Sequence, residues 1–250
     1  MCVSASASLK SFFTNLVSAG LLVYFGNEKL FVFNLIVALF SIFTSFMQLI
    51  DYLMWIDLDC TKGTNKFASI IGPFINLIQP VIIFIVAICV FKYSDAGKQF
   101  YNKVFSKVKS DYLAESFSIA SNKMTIPKLG SLIYIFVIGI ILFNYYSKML
   151  NNPKLLCSGV TNGSLVWKWL NSYNYPTTLF YLSIAGLNLI GINPSHPYTY
   201  IVLAVYFLTL IISTIIDKSR AGELWCFTSN SIPLILLIIQ KIFKNKLDKF

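Results

Sequence analysis

Long, mostly apolar runs recur along this chain, and they constrain its fold more than any other feature. A transmembrane helix needs roughly 20 such residues, because the hydrocarbon core is about 30 Å thick and a helix rises about 1.5 Å per residue. Residues 30–55, 67–91, 129–148, 198–216 and 222–243 meet that need outright. Two further segments come close. Segment 5–25 holds an apolar stretch interrupted by Asn15 and preceded by the small residues Ser4–Ser8. Segment 177–192 lies between Pro176 and Pro194 and contains Gly186, Asn188 and Gly191. Short spans interrupted by glycine and proline are where transporters break helices to build sites.

Composition removes the soluble alternative. Apolar residues make up 56% of the 250 positions and charged residues 12%, with a mean hydropathy of +0.70. A soluble domain carries about a quarter charged residues, so this chain has too few charges to coat a water-facing surface. The expected fold class is therefore all-α: a single polytopic transmembrane bundle of seven helices across residues 1–250. The N-terminal segment lacks a basic start, and an uncleaved first helix is expected rather than a signal peptide.

Net charge is +10, from 19 lysines and one arginine against ten acids. The lysines fall mostly between apolar runs, where they orient a chain in the bilayer. Arginine forks, the usual tool for gripping phosphate, are nearly absent, so no nucleic-acid partner is expected. With the N-terminus outside and the C-terminus inside, 12 of the 20 basic residues lie on the inner side. Two independent cues agree. The sequon Asn162-Gly163-Ser164 falls in an outer loop, as glycosylation requires. Cys60 and Cys157 fall in the two largest outer loops, where an oxidising compartment permits a disulfide. Secretory-pathway, plasma and virion membranes suit these cues alike.

The inner loop over 93–128 is basic and periodic. Phe100, Tyr101, Val104, Phe105, Val108 and Tyr112 share one helical face, with Lys98, Lys103, Lys107 and Lys109 beside or opposite it. Such a helix lies on an anionic leaflet, the lysines meeting lipid head groups, or packs its apolar stripe on the bundle. Pro80 and Pro233 each precede an apolar run and follow an asparagine, an alignment too short to establish a repeat.

Polar residues at membrane depth are the best pointers to function, because lipid offers them no partners. Gln48, Asp51, Tyr52 and Trp55 are spaced three to four apart and share a face. Asn76 and Gln79 lie in the third apolar segment, and Glu223 and Asn230 in the last. Together, Asp51, Gln48, Asn76, Gln79, Glu223 and Asn230 define an expected outer polar pocket, with Asp51 its leading residue. A structural reading competes with it: amides often hold helices together, and a carboxylate near a helix end costs little. Trp55, Trp167, Trp169 and Trp225 read as an aromatic belt at the outer interface, and His196, between two prolines, as a turn residue.

Enzyme classes fall away. The chain has no P-loop, no HExxH and no GxSxG pattern, and a single histidine excludes a multi-histidine metal centre. Retinal chemistry needs a mid-membrane lysine in the last helix, and Lys241 and Lys244 sit at its inner end. No enzyme activity, cofactor or metal is expected.

The stretch Phe46-Met-Gln48-Leu-Ile-Asp51-Tyr-Leu-Met-Trp55-Ile-Asp57, then Asn65-Lys-Phe-Ala-Ser, Leu77-Ile-Gln79-Pro80 and Gly222-Glu-Leu-Trp225-Cys226, covers about a third of the chain. It resembles uncharacterised multi-pass membrane proteins encoded by giant DNA viruses. That resemblance implies architecture and origin, and no activity. Function is then expected to be binding or transport of a small solute or ion through the outer polar pocket. The alternative is a receptor-like or structural membrane protein whose basic loop engages a cytosolic partner or anionic lipid.

Overall fold

The computed structural model describes residues 4–92, 125–161, 163–168, 175–192, 197–216, 224–225 and 228–243. Seven α-helices are present among them: α1 (Ala5–Phe25), α2 (Phe31–Trp55), α3 (Thr64–Lys92), α4 (Thr125–Asn151), α5 (Tyr175–Ile192), α6 (Pro197–Ile216) and α7 (Ile232–Ile242). A short antiparallel hairpin, β1 (Gly159–Thr161) and β2 (Ser164–Val166), follows a 3-10 turn at Pro153–Leu156. Helices α1, α2, α3, α4 and α6 are long and apolar enough to cross a membrane.

Local chemistry explains most boundaries. Ser4 caps α1, its hydroxyl accepting from the Ala7 N–H; such caps are worth about 1 kcal/mol. Helices α1 and α2 form an antiparallel hairpin through the tight connection at 26–30. Gly26 is required there, because a β-carbon would collide with the Leu22 carbonyl and the Asn34 amide.

Helix α3 carries Pro73 and Pro80 in its interior. A proline removes a backbone donor and pushes on the carbonyls of the preceding turn. In each case a tyrosine of α4 answers. Tyr146 donates to the Ile70 carbonyl and Tyr134 to the Leu77 carbonyl, both at 2.8 Å and both three residues before a proline. The carbonyl that loses its helical donor to each proline is the one four residues back, and these tyrosine hydrogen bonds fall on the next carbonyl along, so α4 is tied to α3 at both proline turns.

Helix α5 is held against both. Asn188 donates to the Pro80 carbonyl at 2.7 Å and exchanges hydrogen bonds with Ser131 of α4. At one end of the bundle the Gln240 amide closes a four-way latch. It accepts from the Asn27 N–H at 2.7 Å and from the Asn34 amide, and donates to Asn34 Oδ1 and to the Tyr198 hydroxyl. The ends of α1 and α7 thereby meet the starts of α2 and α6.

The last apolar run departs from the single span expected over 222–243. Residues 224–225 and 228–229 are helical, Asn230 and Ser231 form a turn, and α7 starts at Ile232. Pro233 sits in the first turn of α7, where its missing N–H costs nothing. The same proline has no N–H to continue a helix arriving from residue 229, so the segment breaks there. Pro80, by contrast, lies inside a continuous helix, so the two proline segments are not structurally equivalent.

Candidate functional site

Two kinds of buried polar group occur in this bundle, and they differ in how completely their hydrogen bonds close. The first kind builds a cap over the end of the bundle where α2 finishes. Asn65, fully buried at the start of α3, donates to the Met54 and Ser158 carbonyls, at 3.3 and 2.9 Å, and accepts from the Ser158 N–H. Asp57 accepts from the Lys62 N–H at 2.9 Å and the Asn65 N–H at 3.1 Å. Burial raises the Asp57 pKa, but these two backbone donors, with the Thr64 side chain, outweigh it and hold the carboxyl below its ordinary 3.8.

A disulfide between Cys60 and Cys157, 97 residues apart in sequence, ties the α2–α3 turn to the segment before the hairpin. Gly163 turns that hairpin at φ 73°, a left-handed conformation that suits glycine. The chain then delivers Trp167 into an apolar cluster with Met47, Ile50, Met54, Ala68, Tyr145 and Met149. Its indole N–H donates to Asp51 Oδ1 at 2.6 Å. Both residues are almost wholly buried, Asp51 at 0% and Trp167 at 2% exposure.

The second kind lies between α1, α2 and the turn before α7. On α1 the buried residues include Ser8, Ser11, Asn15 and Ser18, spaced three and four apart, which confines them to one face. On α2, Asn34, Ser41, Ser45 and Gln48 are buried on a facing stripe, and Asp51 lies about one turn beyond Gln48. Asn15 donates its amide to the Ser41 carbonyl, and Asn230 donates to the Ser11 hydroxyl at 2.7 Å. The register set by Asn15 and the 26–30 connection levels Ser8 with Gln48.

Along this seam the bonding stays open. Ser8 Oγ, Asn15 Oδ1, both ends of the Gln48 amide, and Asn230 Oδ1 are buried without a partner among the described residues. Each such atom costs about 1–3 kcal/mol if left dry. Five of them would consume about 5–15 kcal/mol, as much as the whole stability of an ordinary domain. Small residues alone explain close helix packing; they do not explain unmatched asparagine and glutamine oxygens. Buried polar atoms of this kind are ordinarily met by water, an ion or a polar solute.

A third feature opens between α2, α3, α5 and α6. It is a cavity of about 630 Å³, measured out to its mouth and lined mainly by apolar and aromatic side chains, with Gln79, Thr44, Tyr181 and Ser229 as its polar members. Tyr181 donates to Gln79 Oε1 at 2.6 Å, while the buried Nε2 of Gln79 has no partner among the described residues.

The expected outer pocket is thus divided. Asp51 and Gln48 share a helix, but Asp51 is closed off by Trp167. Gln79 lines the separate cavity, Asn76 is half-buried on α3, and Asn230 faces α1. Glu223, Asn162 and the lysines Lys98, Lys103, Lys107 and Lys109 lie outside the described residues, as do Trp169 and His196. The aromatic-belt expectation fails for two tryptophans: Trp167 is buried on Asp51, and Trp225 lines the cavity with its N–H on Thr209 and the Tyr206 carbonyl. Among the described residues no group of three His, Cys, Asp or Glu side chains could hold a metal ion.

Sequence reasoning missed Ser8, Ser11 and Ser18. The signal was their three-four spacing with Asn15, on a segment where Asn15 read only as an interruption. Comparison with protein-family models, curated proteins and solved structures gives no match.

Proposed function

We propose that this is an integral membrane protein that binds a small cation, or a proton carried on water, and passes it along the seam between α1 and α2. One observation supports this above the rest. Four buried oxygens along the seam, Ser8 Oγ, Asn15 Oδ1, Gln48 Oε1 and Asn230 Oδ1, lack partners among the described residues, beside two unmatched donor groups, the Ser8 hydroxyl and the Gln48 amide nitrogen. Three carbonyl oxygens and a hydroxyl at membrane depth suit a small cation, and the donors beside them suit the water that would carry a proton. The small-solute reading is kept, and its centre moves from the α2 terminus to the seam.

The topology that goes with this reading is seven crossings, with the N-terminus outside. The Gln240 latch joins the ends of α1 and α7 to the starts of α2 and α6, and the cap joins the end of α2 to the start of α3 and the end of α4. That arrangement supports α5 and the residues from 224 onward as the remaining crossings. The 11 residues of α7 reach only about 16 Å alone, and the described residues before it, 224–225 and 228–231, lengthen the seventh. The Cys60–Cys157 bridge then lies on the oxidising side.

Purified protein reconstituted in liposomes tests the function, with dyes reporting H⁺, Na⁺ and K⁺ entry. Wild-type vesicles are expected to conduct at least one of these faster than protein-free vesicles. Gln48→Leu is expected to slow that flux at least tenfold, the effect of roughly 1.4 kcal/mol on a barrier. Wild-type vesicles no leakier than protein-free ones to all three ions would end the proposal.

A further inference from the structure

The cavity between α2, α3, α5 and α6 is chemically unlike the seam. Its space comes from the sequence of α5, where Ala185 and Gly186 present almost no side chain toward α6. A β-carbon on Gly186 would find Leu203 Cδ2 as its nearest neighbour, at 4.0 Å. Aromatic groups bound the space: Phe40 from α2, Tyr206 from the middle of α6, and the edge-to-face pair of Tyr181 and Trp225, whose ring centres are 6.3 Å apart. Its make-up is that of small-molecule sites: apolar walls with a few placed polar groups.

One of those polar groups is unsatisfied. Gln79 is 3% exposed, its carbonyl is taken by the Tyr181 hydroxyl, and its Nε2 has no partner among the described residues. The seam guest does not answer this donor, because Gln79 lies on α3 and lines the cavity. A cation does not answer it either, since an amide N–H repels positive charge. What fits is an acceptor on an apolar body.

We propose that this cavity binds a lipid-soluble molecule carrying a neutral carbonyl acceptor, such as a fatty ester or ketone, with the carbonyl oxygen hydrogen-bonded to Gln79 Nε2 and the chain among Ala185, Leu203 and Tyr206. The occupant is either a free lipophile or an acyl chain of a bilayer lipid, and both present the same group.

Photo-crosslinking of the full-length protein in nanodiscs tests this with three probes bearing the same mid-chain diazirine. They are a fatty acid methyl ester, a hydrocarbon of equal length without the carbonyl, and a phosphatidylcholine carrying the diazirine on its acyl chain. The methyl ester is expected to label cavity residues of α5 and α6 and to be displaced by excess unlabelled ester. The hydrocarbon is expected to label them about tenfold less efficiently, the loss of one buried hydrogen bond. In Gln79→Leu the ester and the hydrocarbon should label alike, and in Gly186→Phe, which fills the space, both should be lost. Labelling by the phosphatidylcholine assigns the occupant to the bilayer; labelling by the ester alone assigns it to a free lipophile. Equal labelling of the wild-type cavity by ester and hydrocarbon would overturn the proposal without recourse to any variant. So would label spread evenly over lipid-facing helix surfaces.

Discussion

The cap over the α2 terminus and the seam between α1 and α2 are both polar, both buried and both rich in serine and asparagine. They differ in how far they close: beside the cap, the Trp55 indole N–H and the Tyr145 hydroxyl are the buried atoms without a partner among the described residues. In the cap, the Asn65 amide is used on both sides, Asp57 accepts from two backbone donors, and Asp51 receives the Trp167 indole. In the seam, Ser8, Asn15, Gln48 and Asn230 leave five buried atoms without partners among the described residues. A closed network gives stability and position. An open one at membrane depth leaves hydrogen-bonding capacity for something that is not protein. The contrast separates polar groups matched within the protein from those that are not, where residue type alone does not.

The largest effect is expected from opening the cap. Replacing Cys60 and Cys157 by serine frees a loop of 97 residues, worth about 4–5 kcal/mol in a chain-entropy estimate. The expected result is a markedly lower unfolding midpoint in detergent, reproduced in wild type by reductant. An unchanged midpoint would mean that the cap holds without its bridge. Trp167→Phe comes next. It keeps the ring but strips the Asp51 carboxyl of its indole donor, at a cost of about 1.5–3 kcal/mol, read from the same melting curves.

The seam should behave in the opposite sense. Gln48→Leu removes an amide whose two ends are unmatched, and replacing an unsatisfied polar group by an apolar one is neutral or stabilising. Melting is expected to stay within about 0.5 kcal/mol of wild type, or to rise, while ion flux falls. A large loss of stability would show that Gln48 belongs with the cap residues. The smallest effect concerns pH. Because the Asp57 pKa is lowered from 3.8, its contribution is complete above that value and is lost as pH falls through the lower folded value. Wild type should lose cap stability below about pH 4, and Asp57→Asn should show a weaker acid dependence, measured by melting from pH 3 to 7.

The helices were legible because apolar run length is a strong signal: the run expected over 30–55 is α2 at Phe31–Trp55, and that over 198–216 is α6 at Pro197–Ile216. The break before α7 was not, because apolar residues continue on both sides of Asn230 and Ser231, and Pro233 had to be weighed against them. Asp51 was legible as a buried acid. Its partner was not, since Trp167 lies 116 residues away and enters only because the disulfide and hairpin carry it there. Gln79 and Asn230 were visible as amides in apolar surroundings, yet the sequence could not show that they face different spaces. That depends on which helices pack beside α3 and α1, which is a property of the assembled bundle.

Thiol accessibility along the seam separates the two regions most directly. In a background lacking the native free cysteines, single cysteines at Ser8, Ser45, Ser69 and Thr209 would be exposed to a small membrane-impermeant thiol reagent in proteoliposomes. Reaction is expected at positions 8 and 45, which line the seam, with protection at positions 69 and 209, which lie away from it, in the cap and against Trp225. Protection at all four positions would contradict a wet path between α1 and α2.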